Sequence, residues 1–159
     1  MRIGGHGIRE YLGFLAPLFG LIAAVWALRL VLAAMEAPHS VVRIVSVSVT
    51  GAASVLLAAL LIHMRRFGSY LNVVVAALFL ILWEQLLISG AIAFTIFTGT
   101  ASIYTAPEYS FRGLSHWRHI AGHMTFGLGS GTLFGSLMGC LLLWLLRKLV
   151  PLRTKTGGA

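Results

Sequence analysis

Four long apolar runs constrain this sequence more than any other feature. They cover about residues 11–35, 41–63, 71–98 and 121–149. Each is long enough to cross the hydrocarbon core of a bilayer as an α-helix, which takes about 20 residues. Only helices and closed barrels satisfy every backbone hydrogen bond inside a bilayer. The runs therefore predict an all-α membrane protein, a single domain over residues 1–159 in which four transmembrane helices form a compact bundle.

The composition indicates that lipid is part of the solvent of this chain. Apolar residues make up 58% of the 159 residues and the mean hydropathy is +0.93. Only 10% are charged, against roughly 25% in a typical soluble protein. A net charge of +8 would suggest a nucleic-acid partner for a soluble protein, but the basic residues flank the apolar runs, as membrane topology requires. We therefore predict the lipid bilayer as a partner and no nucleic acid.

The basic residues also predict how the chain lies in the membrane. Of the 12 lysines and arginines, eight lie near run ends on one side, three lie on the other, and Arg29 lies inside the first run. Because cytoplasmic loops carry the excess of positive charge, both termini and the loop at Arg65 and Arg66 are predicted to be cytoplasmic. The longer loop, 99–120, then faces outward. We expect a multi-pass protein of a bacterial inner membrane, since the first two loops are short and no organellar transit pattern is present.

Small residues recur every four positions on two of the runs. The fourth run carries Gly127, Gly131, Gly135 and Gly139, called the glycine stripe below. The second run carries Ser46, Thr50, Ser54 and Ala58. In lipid, helices associate where small residues let backbones approach closely, and these two runs cross in the same direction. We therefore predict a glycine zipper in which the two faces meet in parallel, with surface left over for a homo-oligomer or a larger membrane complex.

One carboxylate interrupts the third run near its midpoint. Glu84 lies between Trp83 and Gln85, and a carboxylate inside a bilayer usually marks an ion path, a proton relay or a paired charge. Its closest partner by depth is Arg29 of the first run. Two interpretations stay open: a pair of Arg29 with Glu84 that only fixes helix register, or a path lined by Glu84 and Gln85.

Histidines form the second group of interest. His116, His119 and His123 have spacings of three and four residues, which would place them on one face of a continuous helix. Gly122 and the preceding loop instead favour a break in that helix. With a carboxylate such as Glu108 they could bind zinc or copper. They could also form a pH-sensitive cluster, or lie at the interface with no further role. Haem between His39 and His123 is a further alternative, but we expect no cofactor.

Residue patterns typical of catalysis are missing from the sequence. It contains no aspartate, which removes a Ser-His-Asp triad, and Cys140 lies in an apolar run without a neighbouring base. We therefore predict no enzyme activity. Three functions remain: a structural or accessory membrane subunit, which we favour; a small transporter or channel that uses Glu84; and an outer-leaflet metal or cofactor protein that uses the loop histidines.

Overall fold

A computed structural model describes residues 2–100, 102–105 and 115–150 of the chain. Helices account for most of these residues. In chain order the elements are β1 (Arg2–Ile3), β2 (His6–Gly7), α1 (Ile8–Ala34), α2 (His39–Ile44), α3 (Val47–Arg65), α4 (Tyr70–Thr98), a 3-10 helix (Ile103–Thr105), α5 (His116–Gly122), a π-helical turn (His123–Gly127) and α6 (Leu128–Leu149). The two short strands pair as an antiparallel hairpin.

Four helical spans within the described ranges are long and apolar enough to cross a membrane: Ile8–Ala34, Ser40–Arg65, Tyr70–Thr98 and His116–Leu149. The predicted all-α architecture with four such helices is confirmed, and it is compatible with a small integral membrane protein. The second span contains α2 and α3, which are separated by a bend where Ser46 caps α3 by accepting from Val49 N. Which membrane holds the chain, and on which side the termini lie, stay predictions.

The fourth span begins before the predicted start at residue 121. From His116 the helix continues through Gly122 and the π-helical turn into α6. Gly122 does not interrupt it, because a membrane offers the backbone no competing hydrogen-bond partner and glycine is therefore tolerated inside such helices. The histidines near its start consequently lie on a helix.

The central helix of the bundle is α4, which contacts α1, α3 and α6. In the most apolar 18-residue segment of α4, 56% of the residues are buried. In the corresponding segment of the span that contains α6, 11% are buried. The helix α6 therefore lies at the edge of the bundle, seated against α3 and α4. Its outward apolar side chains cost little there, since lipid tails are as apolar as they are.

The glycine stripe seats α6 antiparallel on α4. A Cβ added at successive glycines would approach α4 side chains at Gln85 (2.7 Å from Gly127), Ile81 (2.9 Å from Gly131), Ala77 (3.8 Å from Gly135) and Val73 (2.7 Å from Gly139). Each step of four residues along α6 is matched by a step of four back along α4. Every glycine thus makes room for one α4 side chain, which is how small residues bring transmembrane helices together.

The glycine stripe also faces α3, where the closest residues are Val55 and Ala59. A Cβ at Gly135 would lie 3.5 Å from Val55, and one at Gly139 would lie 3.8 Å from Ala59. These positions are each one residue beyond the small residues expected to face the stripe, Ser54 and Ala58, which are also fully buried. The pairing of the two small faces stays a prediction. The remaining two residues of that face, Ser46 and Thr50, bond locally, with Thr50 Oγ1 donating to Ser46 O at 2.9 Å. The helices α3 and α6 do run in the same direction.

A buried asparagine ties the N-terminal hairpin to α4. Asn72 Nδ2 donates to Gly4 O at 3.1 Å and to the Tyr11 hydroxyl at 2.8 Å, and Asn72 Oδ1 accepts from Ser69 N at 2.8 Å. Tyr11 in turn donates to Ile3 O at 3.1 Å. Gly4 has a φ of +59°, and a Cβ there would lie 2.7 Å from Asn72 Oδ1, so this turn of the hairpin requires glycine.

Replacing Asn72 by alanine should therefore lower the free energy of unfolding by about 1–3 kcal/mol, because it leaves buried partners unsatisfied. Thr98→Ala is the matched control on the same helix, since that hydroxyl is exposed and its hydrogen bonds, to Phe94 O and from Thr100 N, are local. Its effect should stay within about 0.5 kcal/mol. Unfolding in detergent measures both variants, and equal losses would contradict the role given to Asn72.

Candidate functional site

Glu84 lies buried between α4 and α3, with 2% of its surface exposed. A Cβ added at Gly51 would overlap Glu84 Oε2 and would lie 2.9 Å from Cδ, so the carboxyl group rests directly on the α3 backbone. Ser48, one turn earlier on α3, lines the same cavity as the carboxyl group. A glycine on α3 is therefore what allows a carboxyl group to lie between these two helices.

A chain of hydrogen bonds leads from Glu84 to the start of the fourth span. Gln85 Nε2 donates to Glu84 Oε1 at 3.2 Å, and Gln85 Oε1 lies 2.8 Å from His123 Nδ1. His123 Nε2 lies 3.1 Å from His119 Nε2. These four residues, called the polar chain below, join the centre of α4 to the first turns of α5.

The hydrogen-bond partners determine the proton positions along the polar chain. Because the Gln85 amide oxygen can only accept, His123 donates from Nδ1, and Nε2 of the neutral ring then accepts from His119. This leaves His119 Nδ1 as an acceptor, which is buried and has no hydrogen-bond partner among the described residues. The polar chain therefore has a direction, from a buried imidazole nitrogen without a described hydrogen-bond partner at one end to a carboxyl group at the other.

The π-helical turn aligns the two parts of the fourth span against α4. His123 begins this turn and Gly127 ends it. His123 bonds Gln85, while a Cβ at Gly127 would lie 2.7 Å from the same amide. A π turn shifts the helix face before it relative to the face after it, and such turns are frequent at functional sites. Both the histidines and the glycine stripe can thus face one helix.

Glu84, Gln85 and His123 line a cleft of about 490 Å³ between α3, α4 and α6, called the Glu84 cleft below. The rest of its lining is apolar or small: Ser48, Ala52, Leu56, Ile81, Gly127, Ser130, Gly131, Phe134, Gly135 and Met138. Three residues of the glycine stripe are among them, so the stripe leaves space as well as seating the helix. An apolar cavity with a few converging polar groups is the usual form of a small-molecule site.

A larger cavity, of about 1,010 Å³, lies between α1 and α4 and shares no lining residue with the Glu84 cleft. Trp26, Leu30, Gly90 and Phe94 are typical of its lining, and the carboxylate that lines it is Glu36, in the exposed turn after α1. Volume alone therefore does not identify the functional site. The polar chain favours the smaller cleft.

Arg29 has a different described contact from the one predicted. Its guanidinium carbon Cζ lies 5.2 Å from the centre of the Tyr104 ring, an arrangement typical of a cation–π interaction. The 3-10 helix brings Tyr104 back onto the bundle, and burial raises the pKa of Tyr104 to about 12. The hydrogen bond described for Glu84 comes from Gln85. None of these described contacts joins Arg29 to Glu84, so the expected pair stays a prediction.

The predicted metal-binding histidines do not all come together. The rings of His119 and His123 have centres 4.9 Å apart, whereas His116 is exposed at the start of α5. Glu108 lies outside the described residues, and so does the side chain of His39. Across the described ranges, no three His, Cys, Asp or Glu residues form a group that could hold a metal ion. The metal and haem alternatives stay untested predictions.

The chain matches no protein-family model, no curated protein and no solved structure. Its function has to be argued from the polar chain and the Glu84 cleft.

The sequence pointed to Glu84, Gln85, His119 and His123, but as two separate groups. Gly51 was missed. A signal for it existed, because it is the single glycine in the second apolar run, and a lone glycine in a transmembrane helix often marks a close approach. What the sequence could not supply was the identity of the group that approaches it.

Proposed function

We propose that this protein is a small proton-transferring membrane transporter in which Glu84 binds and releases the proton. The polar chain carries this proposal. A carboxylate that only fixed helix register would need a single partner, whereas Glu84 is linked through Gln85 to two histidines in series. Carboxylates and histidines in series inside membrane segments are typical of proton relays, and imidazole exchanges protons near neutral pH.

The transfer follows from the proton positions in the polar chain. A proton binds His119 at Nδ1, and His119 passes its Nε2 proton to His123, which becomes a cation. His123 then breaks its hydrogen bond with Gln85 and gives its Nδ1 proton to the Glu84 carboxylate across the cleft that both residues line. Both groups end neutral, which favours the step in a medium where isolated charge is costly. Gln85 positions His123 and Glu84 through one hydrogen bond to each side chain.

Proton flux into liposomes tests the proposal, with a pH-sensitive dye trapped inside. We expect Glu84→Gln to reduce the flux at least about tenfold, a modest share of what a positioned proton-transfer group usually contributes. Glu36→Gln is the matched control, since it removes an exposed carboxylate in the turn after α1, and its flux should equal that of the wild type. Equal flux from wild type and Glu84→Gln would remove the proposal.

A non-enzymatic structural or accessory subunit is the second candidate, and a separate observation favours it. The leucines exposed on α6 recur every four residues, at Leu133, Leu137, Leu141 and Leu145. A second copy or a larger membrane complex could cover this face, as lipid would. Mild solubilisation distinguishes the candidates: a subunit should purify in one defined assembly, and Glu84→Gln should leave that assembly unchanged. Neither candidate involves enzyme chemistry.

A further inference from the structure

The Glu84 cleft has the size and lining of a ligand site. Its volume of about 490 Å³ lies within the usual range for small-molecule pockets, about 300–1,000 Å³. Leu56, Phe134 and Met138 supply apolar and aromatic surface from α3 and α6. Methionine adapts to ligands of different shape, and the ring of Phe134 can stabilise a cation that lies over it.

Charge decides which class of ligand suits this lining. Glu84 is the one carboxylate among the described residues that line the cleft, so an anion would be repelled when Glu84 is ionised. A neutral apolar molecule would leave that ionised carboxylate without a positive counter-charge, which is costly in a low-dielectric site. A metal ion would find few oxygen ligands besides Glu84, Gln85 and the serines. A cation with a large apolar surface satisfies both the carboxylate and the apolar walls.

We infer that the Glu84 cleft binds a lipophilic monovalent cation in exchange for the proton of Glu84. In this exchange the Glu84 O–H bond breaks, the proton leaves for water, and the carboxylate pairs with the incoming cation. One positive charge enters as one leaves, so the net charge of the cleft stays constant. The inference rests on the proposed function, because Glu84 has to release its proton.

Binding of tetraphenylphosphonium to the purified full-length protein, measured by calorimetry in an uncharged detergent, tests the inference. We expect saturable binding with release of about one proton per bound cation, as the exchange in a low-dielectric site requires. Glu84→Gln should abolish both. Binding without proton release would overturn the exchange.

Two adjacent alanines on α3 test where the cation binds. Ala52 lines the cleft, whereas Ala53 is exposed and does not line it. We expect Ala52→Phe to weaken phosphonium binding at least about tenfold by filling the cleft, and Ala53→Phe to bind as the wild type does. Ser130→Phe fills the cleft from α6 and serves if Ala52→Phe does not fold. If Ala52→Phe or Ser130→Phe bound phosphonium as tightly as Ala53→Phe, the cation would not bind in the Glu84 cleft.

The two proposals fail in different ways. Proton flux that depends on Glu84, without any phosphonium binding, would overturn the cation site and leave proton transfer standing. Phosphonium binding that Ala52→Phe weakens, with a Glu84→Gln flux equal to wild type, would leave a binding cleft and remove the exchange. The infrared carboxyl band of Glu84 reports its protonation directly in both experiments, and it should disappear when the cation binds.

Discussion

Gly51→Ala is expected to abolish proton transfer while leaving the helices intact. The added Cβ would overlap Glu84 Oε2 and lie 2.9 Å from Cδ, so the carboxyl group has to leave the α3 backbone. Its hydrogen bond with Gln85 then breaks, which disconnects Glu84 from the polar chain. Because alanine favours a helix over glycine by up to about 1 kcal/mol, any loss has to come from the displaced carboxyl group.

A double-mutant cycle isolates this contact. In the wild-type chain, Gly51→Ala should lower the free energy of unfolding by about 1–3 kcal/mol, the usual cost of a buried polar group that loses its partners. In a Glu84→Ala chain the same change should raise that free energy by up to about 1 kcal/mol through helix propensity. Circular dichroism during unfolding in detergent measures both values. An equal effect in the two chains would show that Gly51 and Glu84 do not touch.

Gly139→Leu is expected to drive α6 out of the groove between α3 and α4. Gly139 is the buried member of the glycine stripe. A Cβ there would lie 2.7 Å from a methyl group of Val73 and 3.4 Å from one of Val55, and both valines are fully buried. Overpacking of this kind costs about 1–3 kcal/mol even when the backbone can shift slightly. We expect the upper end of that range, because both valines are stiff, β-branched side chains.

Gly129→Leu is the matched control, on the same helix and with the same added side chain. A Cβ at Gly129 meets nothing within 4 Å, so this change should leave the free energy of unfolding unchanged or raise it through helix propensity. Val73→Ala should recover part of the loss in a Gly139→Ala chain, since it removes the methyl group in closest contact. Equal losses from Gly129→Leu and Gly139→Leu would contradict the seating of α6 through its glycines.

The glycine stripe shows what a periodic sequence pattern can predict about helix packing and what it cannot. A four-residue repeat of small residues identified the face of α6 that packs, because only small residues let transmembrane backbones approach. It did not identify the neighbour. The face of α3 with Ser54 and Ala58 has the same period, but Val73 and Ile81 of α4 fill the space beside the glycines. The space beside a glycine admits any side chain that the crossing of the helices brings to it. The pattern on one helix therefore cannot predict which neighbouring helix packs against it.

The helix around Gly122 shows a second limit of sequence patterns, since the break expected near this glycine is not present in the structure. Glycine and the preceding loop suggested that the histidines lay outside a regular helix, yet α5 and the π-helical turn continue into α6. Helix propensities come from water, where an exposed backbone has alternative hydrogen-bond partners. In the setting predicted for this span, those partners are scarce and the helix persists. The geometry that joins His119 to His123 depends on this continuity.

The sequence by itself determined the four helices, the burial of Glu84 and the packing face of α6. Those features follow from local properties, since hydropathy, run length and residue size act along one helix at a time. Only the tertiary structure placed Gly51 beneath the Glu84 carboxyl group, and only it connected Gln85 to His123 across 38 residues. These contacts depend on the crossing and rotation of three helices. Lipid stabilises many such arrangements almost equally, so side-chain fit at a few positions selects among them.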